Sequence, residues 1–206
     1  MTEKGLRERK KADTRAALAA ATLRLATDRG WDAVTVEAIA SAADVSYRTF
    51  FNHFSSKEEA LLQPGGPEQE RLSTRLRAAP AELPALAAVR WAVHRELADL
   101  EADPLALRER MAVLMCTPSL LPRLVQTSAT DERELALALA DRTGLDADTD
   151  LLPALLAAVV SAALRVSLLR WQARGGTTSL TALADEALDA LAAGLPAAHH
   201  HPTTRT

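Results

Sequence analysis

Residues 35–57 read T-V-E-A-I-A-S-A-A-D-V-S-Y-R-T-F-F-N-H-F-S-S-K, and this stretch decides the fold. Thr35 can cap a short helix, because its hydroxyl can accept a backbone N–H that has no helical partner. The apolar residues that follow recur with the period of an α-helix and predict one buried face: Val36, Ile39, Ala40 and Ala43. Residues 44–46 interrupt that helix, and Ser46 can cap the next one. Two short helices joined by a turn of three or four residues predict a helix-turn-helix.

The second helix of this pair separates its side chains by face. Phe50 and Phe54 are four residues apart and are expected to point inward. The opposite face carries Tyr47, Arg48, Phe51 and Asn52. Such a face suits a helix in the major groove of DNA, where Arg can bind guanine and Asn can bind adenine through paired hydrogen bonds. The alternative is a small helical hairpin whose polar residues are merely solvated.

The residues after this helix predict a third helix and a phosphate contact. Ser55 and Glu58 have the spacing of a capping box. Lys57 lies in the first turn, where a cation faces the positive end of the helix dipole and needs an anionic partner. A DNA phosphate would supply that partner, and His53, just upstream, could donate to the same DNA backbone.

At these residues the chain resembles a known family. Residues 14–62 are similar to the N-terminal DNA-binding domain of TetR-family transcriptional regulators, through T-V-x-x-I-A and V-S-x-x-T-F-F-x-H-F-x-x-K-E-E-A-L. The resemblance implies two groups of contacts: phosphates for Thr35, Thr49, His53 and Lys57, and base edges for Ser46, Tyr47, Arg48 and Asn52. Two positions differ from the family's usual residues. Phe51 replaces a frequent tyrosine and lacks its hydroxyl, and Asp44 replaces a turn glycine, which is tolerable because Asp adopts left-handed conformations readily.

Composition predicts an all-α fold. Hydrophobic residues make up 48% of the 206 residues but aromatic residues only 3%, so the core must be Leu and Ala packed helix on helix. We expect a three-helix DNA-binding domain at 1–62, a helical ligand-binding and dimerisation domain at 63–195 and a flexible tail at 196–206. The sequence 63–67, Q-P-G-G-P, marks the junction.

The distribution of charge supports a DNA-facing end. The net charge is −3, but residues 1–57 contain ten Lys or Arg and seven Asp or Glu, and the acidic excess lies in the remainder. The single cysteine, Cys116, excludes an intrachain disulfide and fits a reducing cytoplasm. No secretory signal is recognisable at the N-terminus. The longest apolar run, 151–164, is too short to span a bilayer, so we expect a cytoplasmic protein with no membrane segment.

The spacing of apolar residues and the positions of Gly and Pro predict the bounds of the other helices. The first is expected at 12–29 after a disordered basic segment, 1–11, with Ala17, Leu18, Ala21 and Leu25 as its core stripe and Trp31 as a core residue. An amphipathic piece at 68–78 follows the junction. Later helices are expected at 84–103, 104–116, 119–142, 151–174 and 179–194.

The helix at 151–174 is apolar nearly all round, which is typical of a helix buried on every side. Together with 179–194 it could form a four-helix bundle with a second copy of the chain. A homodimer would place two recognition helices about 34 Å apart on a palindromic operator. The alternative is burial against the chain's own helices, which would leave a monomer.

The C-terminal half resembles, more weakly, the TetR subgroup that contains mycofactocin-system regulators, some of whose relatives bind acyl-coenzyme A. That resemblance implies a small apolar or amphiphilic effector. Seven residues are predicted to line its site: Trp91, His94, Met111, Met115, Leu164, Arg165 and Leu168. Arg165 interrupts an apolar helix and could pair with an anionic ligand group or with a carboxylate. The aromatic and Met residues could equally be ordinary core.

No motif indicates an enzyme. The chain lacks H-E-x-x-H, a P-loop, G-x-G-x-x-G and a nucleophile elbow, so we expect no catalysis and no cofactor. His199, His200 and His201 lie together in the tail, where a fixed metal site is not expected. The alternative function is an all-helical protein that binds a small molecule or acyl thioester and has no role on DNA.

Overall fold

The computed structural model describes residues 3–63, 65 and 71–194, and no strand occurs among them. The all-α prediction is confirmed. Most of the predicted junction and the beginning of the amphipathic piece after it (residues 64 and 66–70) lie outside the described residues. So does the predicted tail with His199, His200 and His201.

Ten α-helices are described: α1 Glu3–Arg29, α2 Val36–Ala42, α3 Tyr47–Phe51, α4 Lys57–Leu62, α5 Leu72–Ala78, α6 Ala85–Glu101, α7 Pro104–Cys116, α8 Leu121–Thr143, α9 Leu151–Ala173 and α10 Leu180–Ala192. Two turns of 3-10 helix, Trp31–Ala33 and Pro118–Leu120, complete the connections. From residue 84 onward these bounds lie within three residues of those predicted from the sequence.

The first helix differs from the prediction at its start. Residues 3–11 continue α1, so the expectation of a disordered basic segment is wrong. Lys, Arg and Glu are good helix formers, and a helix that is already packed extends into them at little cost. The core stripe of α1 is also broader than expected. Leu18, Ala21 and Leu25 are buried, but Ala17 is exposed and Ala19, Leu23 and Ala26 are buried instead.

Two hydrophobic clusters organise the chain. The N-terminal cluster joins α1 to α4 around Ile39 and Phe50, with Trp31 closing one end as expected. Val113 of α7 and Leu120 belong to this cluster too, so the C-terminal helices pack directly on the N-terminal ones. The C-terminal cluster lies among α5 to α10 and contains Trp171.

Several polar contacts fix the C-terminal helices. Arg75 pairs with Asp99 between α5 and α6, and Arg90 of α6 pairs with two carboxylates of α10. Glu101 caps α10 by accepting hydrogen bonds from the Leu180 N–H and the Thr181 hydroxyl. Gly176 is required after α9, since its φ is 70° and a Cβ there would lie 2.7 Å from Cδ of Arg108.

The apolar helix α9 is covered only in part within one chain, and burial of its other side by a second copy stays a prediction. Five aliphatic side chains lie exposed on it: Leu151 77%, Leu152 46%, Leu155 49%, Val166 47% and Leu169 42%. The helix has 23 residues, longer than the predicted apolar run, and by length and composition it could cross a membrane. It packs along α8 and α10, and Leu188 of α10 is buried in the C-terminal cluster, only 1% exposed.

Candidate nucleic-acid interface and ligand site

The helix-turn-helix is built as its sequence predicts. The Thr35 hydroxyl accepts a hydrogen bond from Ala38 N at 3.2 Å and caps α2. The Ser46 hydroxyl accepts one from Thr49 N at 3.0 Å and caps α3. Asp44 adopts φ 54° in the turn between them, as expected for the residue in place of a turn glycine. These contacts fix the direction in which α3 leaves the turn.

The two faces of α3 separate as predicted. Phe50 is fully buried and Phe54, beyond the helix, is 1% exposed. On the other side Tyr47 and Phe51 are 52% and 45% exposed, with ring centroids 5.0 Å apart. Arg48 and Asn52 are exposed beside them. We call these four side chains the α3 surface. Ser46, which precedes it, and Thr35 at the start of α2 are exposed, whereas Thr49 and His53 are half-buried.

The capping box predicted before α4 is displaced by one residue. Ser56, not Ser55, caps α4 and accepts a hydrogen bond from Glu59 N at 3.2 Å. Glu59, not Glu58, folds back, and its carboxylate accepts from Ser55 N at 2.8 Å and the Ser55 hydroxyl at 2.6 Å. Burial raises the pKa of Glu59, but the hydrogen bonds from Ser55 and Arg15 outweigh it and hold that pKa below its usual value.

Lys57 has partners within the chain. Its ammonium donates to Val34 O at 2.8 Å and to Trp31 O at 3.4 Å, and lies 4.6 Å from the centre of the Trp31 ring. Two carbonyls therefore supply the negative partner that the start of α4 requires, where the sequence suggested a phosphate. The contact of Lys57 with DNA stays a prediction.

Arg15 is a central residue that sequence reasoning missed. It is 9% exposed and donates to His53 O, to Gln63 O at 3.0 Å and to the Glu59 carboxylate at 3.3 Å. Its guanidinium lies 3.8 Å from the centre of the Phe54 ring. Arg15 thus ties α1 both to the end of the recognition segment and to α4. The available signal was its position three residues before Leu18, on the buried stripe of α1.

His53 follows α3 and is half-buried. Burial lowers its pKa, and the positive charges of Arg15 and Lys11 lower it further. The ring is therefore mainly neutral at pH 7, and its Nδ1 is buried without a hydrogen-bond partner among the described residues. A neutral imidazole can still donate one hydrogen bond to a phosphate.

The seven predicted ligand residues differ in their exposure and contacts. Trp91, Met111, Leu164 and Leu168 are half-buried against the C-terminal cluster. His94 bonds outward to Asp185 at 2.8 Å, and Met115 is 62% exposed. Arg165 is exposed on α9, where its charge can reach water. Its role toward a ligand, like that of the other six, stays a prediction.

Two charged groups inside the C-terminal helices escaped sequence reasoning. Glu96 of α6 has a buried carboxylate oxygen without a partner among the described residues, and burial raises its pKa from 4.5 to about 7. The Nε atom of Arg110, on α7, is likewise buried without a hydrogen-bond partner among the described residues. Burial lowers the pKa of Arg110, opposed only by the charge of Asp103. Neither residue interrupts an apolar run in the sequence, which is why no pattern singled them out.

Comparison with known proteins gives consistent results over most of the chain. Residues 18–63 match the family of bacterial regulatory proteins called tetR, and residues 83–196 match the MftR C-terminal domain. The chain is 36% identical over 195 residues, 91% of its length and 86% of the relative's, to the HTH-type transcriptional regulator TcmR of Streptomyces glaucescens.

A solved structure also shares this fold. FadR of Thermus thermophilus, a TetR-family transcriptional repressor crystallised in complex with lauroyl-CoA, superposes with a TM-score of 0.54. The match covers 93% of this chain and 100% of that one, at 21% sequence identity. At this identity the likeness concerns the fold.

Proposed function

The chain belongs to the TetR family of transcriptional regulators, and from that premise we propose that it is a repressor released from a palindromic operator by a small effector. Regulators of this family bind DNA and act as dimers. The observation that carries the proposal is the α3 surface, where Arg48 and Asn52 stand exposed beside two exposed aromatic rings.

The chemistry of the α3 surface favours DNA over a protein partner or plain solvation. Arg and Asn present paired donors or a donor and an acceptor to the edges of guanine and adenine, and aromatic side chains can contact thymine methyl groups. Behind these side chains the capped helix is rigid, since Phe50 is fully buried and Ser46 fixes the first turn. A protein without a role on DNA would not account for these four side chains being exposed together on one helix face.

We propose that the dimer forms through α9 and α10. The exposed residues Leu151, Leu155, Val166 and Leu169 recur at helical spacing along one side of α9, so they form a continuous apolar stripe. A second copy can cover that stripe with its own and bury it from water, which is favourable by about 25 cal/mol per Å². Covering by a lipid bilayer is the competing outcome, but no relative indicates a membrane, and we place the protein in the cytoplasm.

The effector class we propose is an amphiphile with an anionic head, with acyl-coenzyme A thioesters as first candidates. Support comes from the match to the MftR C-terminal domain and from the lauroyl-CoA bound by the T. thermophilus FadR. Within this chain the better partner for an anion is Arg110, a half-buried arginine whose Nε is buried without a hydrogen-bond partner among the described residues, because a buried polar group is costly until it is paired. The exposed Arg165 then becomes a residue of the dimer surface.

The test is a titration of operator-bound protein with lauroyl-coenzyme A, followed by fluorescence anisotropy of the DNA. We expect release, with coupling of about 1–3 kcal/mol between the two ligands. Arg110→Met should abolish release while retaining DNA binding, and Arg108→Met, at an exposed arginine of the same helix, should retain release. Release that is lost in Arg108→Met and kept in Arg110→Met would contradict the assignment of Arg110.

A further inference from the structure

A groove opens between the DNA-binding helices and the C-terminal helices. The last turn of α1 and the Trp31–Ala33 turn form one wall, and the second half of α7 with residues 117–119 forms the other. Its volume is about 700 Å³, within the range of small-molecule sites. None of the seven residues predicted from sequence to bind the effector lines this groove.

The lining of the groove specifies the kind of ligand. Its apolar surface comes from Trp31, Val113 and small alanines, which suits a compact aromatic molecule. Three charged residues border it, Arg29, Asp32 and Glu109, and none of them forms an ion pair with another described residue. Two carboxylates against one guanidinium leave an excess of negative charge, which disfavours an anionic ligand such as an acyl-coenzyme A.

One wall of the groove is connected to the recognition elements. The carbonyls of Trp31 and Val34 accept hydrogen bonds from Lys57, the first residue of α4. Thr35, the next residue along the chain, caps α2. The opposite wall includes Val113, which belongs to the N-terminal cluster. A ligand between these walls would therefore change the position of α7 relative to the start of α2 and α4.

We propose that this groove is a second small-molecule site, which takes a compact aromatic ligand without negative charge and whose occupancy changes operator affinity. Because only a ligand with different affinities for the two arrangements shifts an equilibrium, the ligand must favour a spacing of the walls that differs from that of the DNA-bound protein. The effect on DNA rests on the proposed function. The existence of the site does not.

Cys116 allows a direct test, since it lines the groove, is exposed and is the only cysteine of the chain. Benzyl methanethiosulfonate places a benzyl group there: the thiolate attacks the sulfenyl sulfur, a disulfide forms and methanesulfinate leaves. We expect the labelled protein to bind operator at least about fivefold more weakly than the unlabelled protein. The matched control is Leu105→Cys with Cys116→Ser, which moves the label to an exposed position on α7 outside the groove. There the label should leave affinity unchanged.

Two further arms keep the outcome decisive. Ala112→Phe fills the groove without any label and should weaken operator binding in the same direction. The rates of labelling need no DNA. For each reagent, the labelling rate of Cys116 is divided by that of the thiol introduced at position 105 in the control. This ratio should be higher for the benzyl reagent than for the negatively charged 2-sulfonatoethyl methanethiosulfonate.

Three results would overturn the proposal. They are equal reagent preferences at the two positions, labelled Cys116 with unchanged operator affinity, and Ala112→Phe with unchanged operator affinity. A chain that binds no DNA in any form would instead contradict the proposed function, and the labelling rates would still decide whether the groove prefers aromatic, non-anionic molecules.

Discussion

The α3 surface and the exposed stripe of α9 are both apolar surfaces left uncovered by a single chain, yet they differ in chemistry. On α3 two aromatic rings stand beside Arg48 and Asn52, on a helix of only five residues held by its cap. On α9 the exposed side chains are aliphatic and extend along 23 residues. Aromatic rings with hydrogen-bonding neighbours suit the edges of bases, whereas a long aliphatic stripe suits an identical stripe.

The comparison shows that exposure alone does not identify a partner. The α3 surface combines apolar atoms with hydrogen-bond donors on a short helix fixed by its cap. The α9 stripe lacks such donors among its aliphatic side chains and runs along a long helix. In the proposed dimer the two surfaces are also coupled in function, because an interface at α9 would set the distance between the two copies of α3. Variants that separate these roles are therefore the most informative.

The largest effect is expected at α9. Leu155→Glu combined with Leu169→Glu places charges in the proposed dimer face, where their burial is costly. We expect a folded monomer by light scattering, with operator affinity lowered by about a hundredfold or more, since one recognition helix then binds alone.

Leu105→Glu, at an exposed leucine on α7, is the control and should remain dimeric. Leu188→Glu on α10 is instead expected to unfold the chain because Leu188 is buried within it. A double variant that remains dimeric would place the interface elsewhere.

The next effect is expected on the α3 surface. Arg48→Ala should cost about 1–3 kcal/mol on the preferred operator and relax base preference at one position per half-site, without changing the dimer. Competition binding with operators substituted at each position measures both quantities. Arg123→Ala, at a partly exposed arginine of α8, serves as the control for a lost positive charge. Uniform weakening on all sequences would mean that Arg48 contacts phosphate and not a base.

A smaller effect is expected at Lys57, where a structural role in the DNA-binding domain can be distinguished from contact with DNA. Lys57→Met removes the hydrogen bonds to Val34 O and Trp31 O, so we expect the free energy of unfolding to fall by about 1 kcal/mol. If Lys57 also contacts a phosphate, the dependence of operator affinity on salt should weaken by about one ion per subunit. Urea unfolding and binding at several salt concentrations separate the two roles. An unchanged stability would contradict the structural role.

The last effect concerns stability and not operator binding, and it arises among the C-terminal helices at Glu96 of α6. The folded-state pKa of Glu96 is raised from 4.5 to about 7, so between these values the folded chain holds a proton that the unfolded chain has lost. Its contribution to the free energy of unfolding therefore falls as pH rises through that window, by up to about 3 kcal/mol. Glu96→Gln should remove this fall, measured as the difference from the wild type in urea unfolding at pH 5 and pH 8. An identical pH dependence in both proteins would contradict the raised pKa.

The N-terminal elements could be predicted closely because their determinants are local. The caps at Thr35 and Ser46, the turn at Asp44 and the start of α7 at Pro104 depend on neighbours within four residues. The prediction that Ser55 caps α4 failed for a related reason. Ser55 and Ser56 have the same capping chemistry, and only the packing of α4 decides which of them is the cap.

Long-range features were predicted less well. The partners of Arg15 lie 38 to 48 residues away, and no periodicity reveals them. The α9 helix is apolar all round, but one side of it packs within the chain and the other is left exposed, and the helical pattern alone cannot tell the two sides apart. For the same reason Met115 and Arg165 share helical spacing with core residues yet lie exposed.

The most direct test of the central claim is selection of bound fragments from random DNA by the purified wild-type chain, followed by the mass of the complex. We predict enrichment of a palindrome whose half-sites are centred about one helical turn, roughly 34 Å, apart or a multiple of it, bound by an even number of chains. Enrichment of a single unrepeated half-site bound by one chain, or no enrichment at all, would contradict the account.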